Sequence, residues 1–238
     1  MSCKVPLLSR RFEIEFFVDK DINMLDIVFL VVKKLNSKFP QRVLGLYITG
    51  STARKEAEEY SDLDVVAIVD GDLDPQEISK IFDGDVQVNV FKRDELRREV
   101  KEDPTIALMI KEGIPIKPLS NIDEDLSFTR EDILKAISRT ARELLQLLKR
   151  SGAVDSGVFL ALMYARKLYT LRCMLLEKTA TKQGFIGELK EYYSGIEEIY
   201  RLKKRIEKGE IVELNEDEFK RFLKAMVDYA IDILRTLR

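Results

Sequence analysis

The sequence of 238 residues contains no histidine, and it has only two cysteines, Cys3 and Cys173. Without histidine, the chain has no Ser-His nucleophile pair, no histidine general acid or base, and few ways to build a zinc site. The two cysteines lie far apart and match no metal-binding spacing, so we expect reduced thiols. Any catalysis must therefore depend on carboxylates, lysine, arginine or a bound metal ion.

An excess of charge is also absent, because 40 Lys and Arg residues oppose 42 Asp and Glu residues. This balance provides no overall field for nucleic acid or an anionic membrane, although a local basic patch is still open. No uncharged apolar run reaches the roughly 18 residues of a membrane span, and residues 1–16 lack a signal-peptide core. We therefore expect a cytoplasmic protein, and its 34% charged content with few Asn and Gln is typical of thermophiles.

The most informative segment is residues 50–64, GSTARKEAEEYSDLD, which follows the apolar run Val43 to Thr49. This β-branched run predicts a buried strand that ends at Gly50, where glycine permits a sharp turn. Ser51 then begins a short predicted helix, whose free N–H groups and positive dipole end suit phosphate oxygens. The pattern indicates a nucleotide-phosphate site.

Two carboxylates, Asp62 and Asp64, open the next predicted strand. Alternation along a strand places both on one face, while Leu63 points to the other. Two such carboxylates repel each other unless a cation lies between them, and their hard oxygens suit Mg²⁺ bridged to substrate phosphates. A solvated acidic loop is the alternative interpretation, but the order strand, turn, helix, acidic pair and strand favours a site.

The segment GSTARKEAEEYSDLDVV (50–66) resembles the signature of the DNA polymerase β-like nucleotidyltransferase superfamily, especially its minimal and aminoglycoside-adenylylating branches. By this resemblance, Gly50, Ser51 and Arg54 would bind the nucleotide, and the two carboxylates 62 and 64 would bind metal ions. Lys55 departs from the family pattern, which usually has glycine there. The longer side chain adds a cation near the phosphates without necessarily blocking the site.

The resemblance also implies a third carboxylate on the following strand, but the residues there are amides. In the predicted strand 85–91, DVQVNVF, Asp85, Gln87 and Asn89 share one face. The family's continuation registers the missing acid at Asn89, whereas the adenylylating branch registers it at Gln87. An amide oxygen can ligate Mg²⁺ but cannot act as a general base near neutral pH. Either another group such as Asp85 takes the proton, or catalysis is slow, or the domain binds nucleotide without transferring it.

From Thr129 onward only helical periodicity remains, and it predicts helices over 129–151, 155–178, 181–193, 196–208 and 215–238. The segments ARKLYTL (165–171) and TATKQG (179–184) resemble the helical C-terminal domain of aminoglycoside adenylyltransferases. In those proteins a lysine at the start of a helix faces the triphosphate, and Lys182 is the matching position. The alternative for Lys182 is a solvated lysine beside a helix cap.

The predicted fold class is α+β, with a small mixed-sheet nucleotidyltransferase domain over 1–120 and an all-α helical bundle over 128–238. The N-terminal domain is predicted to contain an edge strand near residues 12–16, helices over 21–38, 75–82, 93–103 and 105–112, and a closing strand over 114–117.

The function implied by the resemblance is Mg²⁺-dependent transfer of a nucleoside monophosphate, AMP from ATP, to a hydroxyl acceptor. The acceptor ranges from a small molecule to an RNA end or a protein, and the sequence leaves a homodimer open. The second interpretation is a catalytically weakened nucleotide-binding or antitoxin-like module, which Gln87 and Asn89 favour.

Overall fold

The computed structural model describes residues 24–55, 63–71, 73–74, 77–78, 86–149, 155–207, 210 and 215–237. The predicted edge strand at 12–16, most of the predicted helix 75–82, and the carboxylates Asp62 and Asp85 lie outside these residues. The chain divides into two compact units, Met1–Gln41 and Arg42–Arg238.

The first unit contains helix α1, Met24–Lys38, which confirms the helix predicted over 21–38 in its described part. Its last turn is closed by the Phe39 N–H, which donates to the Leu35 carbonyl at 2.8 Å. Pro40 follows directly, and proline cannot continue the hydrogen-bond ladder of a helix. The sequence therefore fixes the end of this helix locally.

The second unit begins with a mixed sheet that has four strands within the described residues. They are β1 Val43–Ile48, β2 Leu63–Val69, β3 Val86–Lys92 and β4 Ile114–Lys117, in the order β3-β2-β1-β4. Strand β1 is antiparallel to both β2 and β4, whereas β2 and β3 are parallel. Strand β2 is central, and its residues 65–69 are buried on both faces, which explains why they form a continuous apolar run.

Three helices have their bounds within the described residues of the sheet region, 43–126. They are α2 Gly50–Ala53, α3 Arg93–Glu102 and α4 Thr105–Lys111. One face of the sheet packs with α3 and α4 in a shared hydrophobic core of Tyr47, Val66, Ile68, Leu96, Val100, Ala107, Ile110 and Leu126. The predicted strands and helices of this region are confirmed wherever its residues are described.

The helical region, residues 130–236, contains five helices in its described part. They are α5 Arg130–Lys149, α6 Asp155–Leu175, α7 Lys182–Tyr192, α8 Ile196–Glu207 and α9 Glu216–Thr236. The predicted capping box is present before α5, because the Asp132 carboxylate accepts from the Thr129 N–H at 2.9 Å and the Thr129 hydroxyl accepts from the Asp132 N–H at 3.2 Å. Cys173 is a buried free thiol in the core of this region, as expected for a packing residue.

The corner between α3 and α4 connects the sheet region to the helical region through polar contacts. Arg139 on α5 donates to the Glu102 carbonyl at 3.3 Å, and Lys167 on α6 pairs with the Asp103 carboxylate. The other oxygen of Asp103 accepts from the Thr105 hydroxyl at 2.6 Å, so it also holds the start of α4. These contacts hold the start of α4 between the sheet region and the helical region.

None of the described helices combines the length and the apolar composition needed to cross a bilayer.

Candidate active site

The Gly-Ser turn and the acidic strand meet at the contact between Gly50 and Asp64. An ideal Cβ on Gly50 would lie 2.7 Å from Cγ and 2.9 Å from Cβ of Asp64, with Oδ2 closer still. Real Cβ atoms do not approach other atoms so closely, so only glycine fits beside this carboxylate. Gly50 also has φ +67°, a conformation that L residues with side chains rarely adopt. The two halves of the predicted motif, the Gly-Ser turn and the strand that carries Asp64, are therefore in contact in the structure.

The backbone around Gly50 is tied to strand β2 by hydrogen bonds. The Thr49 N–H donates to the Asp64 carbonyl at 2.8 Å, and the Arg54 N–H returns to the Gly50 carbonyl at 3.3 Å across helix α2. Ser51 and Arg54 are both half-buried at this turn. Lys55 then leaves the turn with φ +57°. This left-handed conformation gives a physical reason for the glycine that the resemblance leads one to expect at position 55.

The pairing of β2 with β3 places the two candidate amides at different depths. Asp64 pairs with Gln87, whereas Asn89 pairs with Val66. Paired residues on neighbouring strands share a face, so both amides lie on the face of Asp64. Gln87 is exposed and stands directly beside the carboxylate, while Asn89 is half-buried beside the fully buried Val66. The structure thus brings Gln87, rather than Asn89, next to Asp64.

The oxygen donors at this end of the sheet suit a hard divalent cation. Asp64 supplies a carboxylate and Gln87 an amide carbonyl, both of which are oxygen ligands of the kind that Mg²⁺ takes. Within the described residues, no three His, Cys, Asp or Glu side chains form a metal-binding group. Asp62, the predicted second carboxylate, lies outside the described residues.

Comparison with protein families agrees with this geometry. The model of the nucleotidyltransferase domain family matches residues 30–137, a range that includes the Gly-Ser turn, Asp64 and all four strands. These residues form a nucleotidyltransferase domain. The match confirms the resemblance stated from the segment 50–66.

Solved structures give a further comparison for the nucleotidyltransferase domain and the helices that follow it. The chain is similar to spectinomycin adenyltransferase AAD(9) from Enterococcus faecialis, solved with ATP and spectinomycin, with a TM-score of 0.62 and 17% sequence identity. The similarity covers 88% of this chain and 100% of that chain, so the fold extends over both regions. At this identity the similarity shows the fold alone.

Two further solved structures are less similar to this chain. A nucleotidyltransferase from Sulfolobus solfataricus has 23% identity and a TM-score of 0.31, covering 41% of this chain and 83% of that one. A nucleotidyltransferase-like protein from Exiguobacterium sibiricum has 10% identity and a TM-score of 0.33, covering 88% and 75%. These low scores carry no argument about the fold. No curated protein sequence matches the chain.

Lys182 is the predicted nucleotide contact that comes from the helical region. It is the first residue of α7, where Thr181 caps the helix by accepting from the Gly184 N–H at 3.0 Å. Its ammonium lies 5.4 Å from the centre of the Tyr200 ring, a cation-π distance. Lys182 therefore has the predicted position at a helix start, and its role toward a nucleotide stays a prediction.

Among the described residues, the titratable groups with the largest pKa changes are two tyrosines of the helical region. Burial and a hydrogen bond to Asp232 raise the pKa of Tyr192 to about 12. Burial, followed by a hydrogen bond to Glu188, also raises the pKa of Tyr229. Tyr192 and Tyr229 contact each other edge to face with ring centres 4.9 Å apart. These shifts belong to helix packing and identify no catalytic group.

Two buried hydroxyl groups at the Gly-Ser turn, those of Thr49 and Thr52, are not predicted from the sequence. Thr49 ends the apolar run of the sequence, and Thr52 lies in the motif without a predicted role. Their side-chain oxygens are buried and have no hydrogen-bond partner among the described residues. The signal in the sequence was a hydroxyl residue at the end of a strictly apolar run, directly before the glycine of the turn.

Proposed function

We propose that the protein is a Mg²⁺-dependent nucleotidyltransferase that moves AMP from ATP to a hydroxyl acceptor. The observation that carries this proposal is the contact of the Asp64 carboxylate with Gly50 in the turn that begins the motif. A carboxylate packed on a phosphate-binding turn has one evident use, which is to hold a cation against the phosphates. The ATP in the structure of AAD(9), which shares the fold, supports the choice of nucleotide.

In this proposal, Gly50, Ser51 and Arg54 bind the β- and γ-phosphates, while Asp62 and Asp64 bind the metal. Lys182 would add a positive charge from the helical region. Bound Mg²⁺ supplies charge neutralisation of the phosphates and fixes their orientation. The chain's own residues hold the α-phosphorus where an acceptor oxygen can approach it opposite the pyrophosphate.

The proposed reaction forms a bond between the acceptor oxygen and the α-phosphorus and breaks the bond from that phosphorus to the bridging oxygen. Pyrophosphate leaves, and the acceptor loses its hydroxyl proton. Gln87 and Asn89 cannot take this proton because amides are not bases near neutral pH. The proton passes to solvent or to a carboxylate such as Asp85, and without a dedicated base the reaction is expected to be slow.

The acceptor is a hydroxyl of a small molecule, an RNA end or a protein. We place the catalytic domain at 1–120 and the helical domain at 128–238, so that the helical domain shapes the acceptor site. A homodimer is compatible with this arrangement. The near balance of 40 basic and 42 acidic residues argues against a large nucleic acid as acceptor, because nucleic-acid affinity comes mainly from phosphate contacts.

A binding experiment tests the proposal through Asp64→Asn, which removes the charge and keeps the volume of the side chain. We expect calorimetry to show ATP binding that depends on Mg²⁺ in the wild type, and loss of that dependence in the variant. Asp123→Asn, which changes an exposed carboxylate between strand β4 and helix α5, should bind as the wild type does. If Asp64→Asn binds Mg²⁺ and ATP with unchanged affinity, Asp64 does not belong to the site and the proposal fails.

The second candidate function is a nucleotide-binding or antitoxin-like module that retains the phosphate turn and lacks turnover. The observation that favours it is the exposed amide Gln87 in the position beside Asp64. Incubation with labelled ATP, Mg²⁺ and candidate acceptors separates the two functions. Pyrophosphate release with a labelled acceptor supports the transferase, and tight ATP binding without release supports the module.

A further inference from the structure

The side chain of Thr49, including its hydroxyl, is buried. The residue is 1% exposed, and its Oγ1 finds no partner within the part of the chain that the structure describes. It does not cap α2, although Thr49 occupies the N-cap position. Native proteins pair nearly all buried polar groups, so each unpaired group calls for a partner such as a water or a ligand.

Thr140 shows how a buried threonine is ordinarily accommodated in this protein. It is 3% exposed, and its hydroxyl donates to the Ala136 carbonyl at 2.9 Å, one turn back in α5. The local helix therefore supplies the partner of Thr140. Strand β1 supplies none for Thr49, because its backbone acceptors are engaged along the sheet and point within the plane of the strands.

The location of Thr49 indicates what the missing partner is. Its N–H bonds to the Asp64 carbonyl at 2.8 Å, which continues the register in which Ile48 pairs with Val65. Thr49 therefore lies opposite Asp64 and shares its face of the sheet. Thr52, three residues further along the same turn, also has a buried hydroxyl without a partner in the described part of the chain. Two hydroxyls without a partner among the described residues thus belong to one turn, and Thr49 lies opposite Asp64.

We propose that Thr49 is a ligand-binding residue, whose hydroxyl donates a hydrogen bond to a phosphate oxygen of the bound nucleotide. This inference rests on the proposed function, because it needs a nucleotide at Asp64. A hydroxyl is a donor that a phosphate oxygen accepts well, and a site with little water strengthens such a bond. The oxygen is closed to bulk water, so the proposed bond requires the turn at 49–53 to open when the phosphate binds.

The inference makes a paired prediction for Thr49→Val, which replaces the hydroxyl by a methyl group of similar shape. The free protein loses an unpaired buried polar group, so its melting temperature should rise by about 2–4 °C. Mg²⁺-ATP should bind about tenfold more weakly, because the bound state loses a hydrogen bond to a charged oxygen. A residue with a purely structural role would not change stability and affinity in opposite directions.

The experiment combines thermal unfolding with calorimetry of three probes in the presence of Mg²⁺: ATP, inorganic tripolyphosphate and adenosine. Thr49→Val should weaken ATP and tripolyphosphate equally and leave adenosine unchanged. Thr49→Ser keeps the donor and should retain the wild-type affinities, which also provides a test if the valine variant does not fold. Thr140→Val is the matched control, in which stability falls slightly and all affinities stay the same.

The possible results separate this inference from the proposed function. If the wild type binds neither ATP nor tripolyphosphate, both are overturned. If the wild type binds both and Thr49→Val binds them with unchanged affinity, the inference alone is overturned and Asp64 keeps its role. A loss for ATP without a loss for tripolyphosphate would contradict the phosphate as the partner of Thr49, as would a loss of affinity in Thr49→Ser equal to that in the valine variant.

Discussion

The side chain of Asp64 occupies the space that a side chain at Gly50 would need. Its Cγ and Cβ lie 2.7 and 2.9 Å from the ideal Cβ position of residue 50, which has φ +67°. Two independent constraints, the backbone conformation and the neighbouring carboxylate, therefore require glycine at this position. The same contact fixes the carboxylate relative to the turn.

Gly50→Ala should destabilise the protein by about 2–4 kcal/mol, because alanine is strained at positive φ and overpacks against Asp64. It should also abolish Mg²⁺-ATP binding by displacing the carboxylate. Gly187→Ala is the control, since a Cβ there meets nothing within 4 Å and alanine favours the helix. Denaturant unfolding and calorimetry measure both effects. A Gly50→Ala variant with wild-type affinity would contradict the proposed role of the contact.

Gln87→Glu should increase nucleotide transfer by about 10²-fold, because it adds a metal ligand and a base beside Asp64. Asn89→Asp should give no such gain, since residue 89 pairs with the fully buried Val66 and not with Asp64. Pyrophosphate release under identical conditions compares the two variants. The opposite ranking would show that residue 89 holds the third-carboxylate position, and slower transfer in both variants would point to another base such as Asp85.

Lys55→Gly should leave stability unchanged or raise it by up to about 1 kcal/mol. Glycine relieves the strain of φ +57° but adds conformational entropy to the unfolded chain. Lys55→Val should lower stability by at least about 1 kcal/mol, because a β-branched residue is disfavoured in the left-handed region. Thermal unfolding of the three proteins tests whether stability falls in the order Gly, Lys, Val at position 55. If the valine variant is the most stable, residue 55 does not have the left-handed conformation.

Alkaline pH should destabilise the helical region through Tyr192. Its pKa is raised from 10.0 to about 12 by burial and by the hydrogen bond to Asp232, so the unfolded chain loses the phenolic proton first. The stability contributed by the neutral phenol is complete below about pH 10 and is lost as pH rises toward 12. Tyr192→Phe should show a shallower decline of unfolding free energy over this window. An identical pH dependence in both proteins would refute the shift.

The sequence predicted the secondary structure well because its local signals agree with one another. The apolar run 43–49 is followed by a glycine, and α1 ends before Pro40. Thr129 and Asp132 form the capping box that precedes α5. Each of these signals acts over a few residues, within the range where backbone preferences and capping determine the structure. The pairing of a Gly-Ser turn with an acidic strand was also visible, because the motif lies in a single short segment.

The choice between Gln87 and Asn89 required the tertiary structure. Side chains on a strand alternate with a period of two, so a shift of two residues leaves the polar face polar and the valine face apolar. The sequence of β3 fits both registers equally, and only its pairing with β2 sets Gln87 beside Asp64. The sequence also could not show that the Thr49 hydroxyl lacks a partner among the described residues. Which acceptors surround a side chain depends on residues that folding brings close to it. The sequence by itself determined the helices and strands and the residue types of the motif. The pairing of β2 with its neighbouring strands decided which polar groups meet, because those contacts join residues that are far apart in the chain.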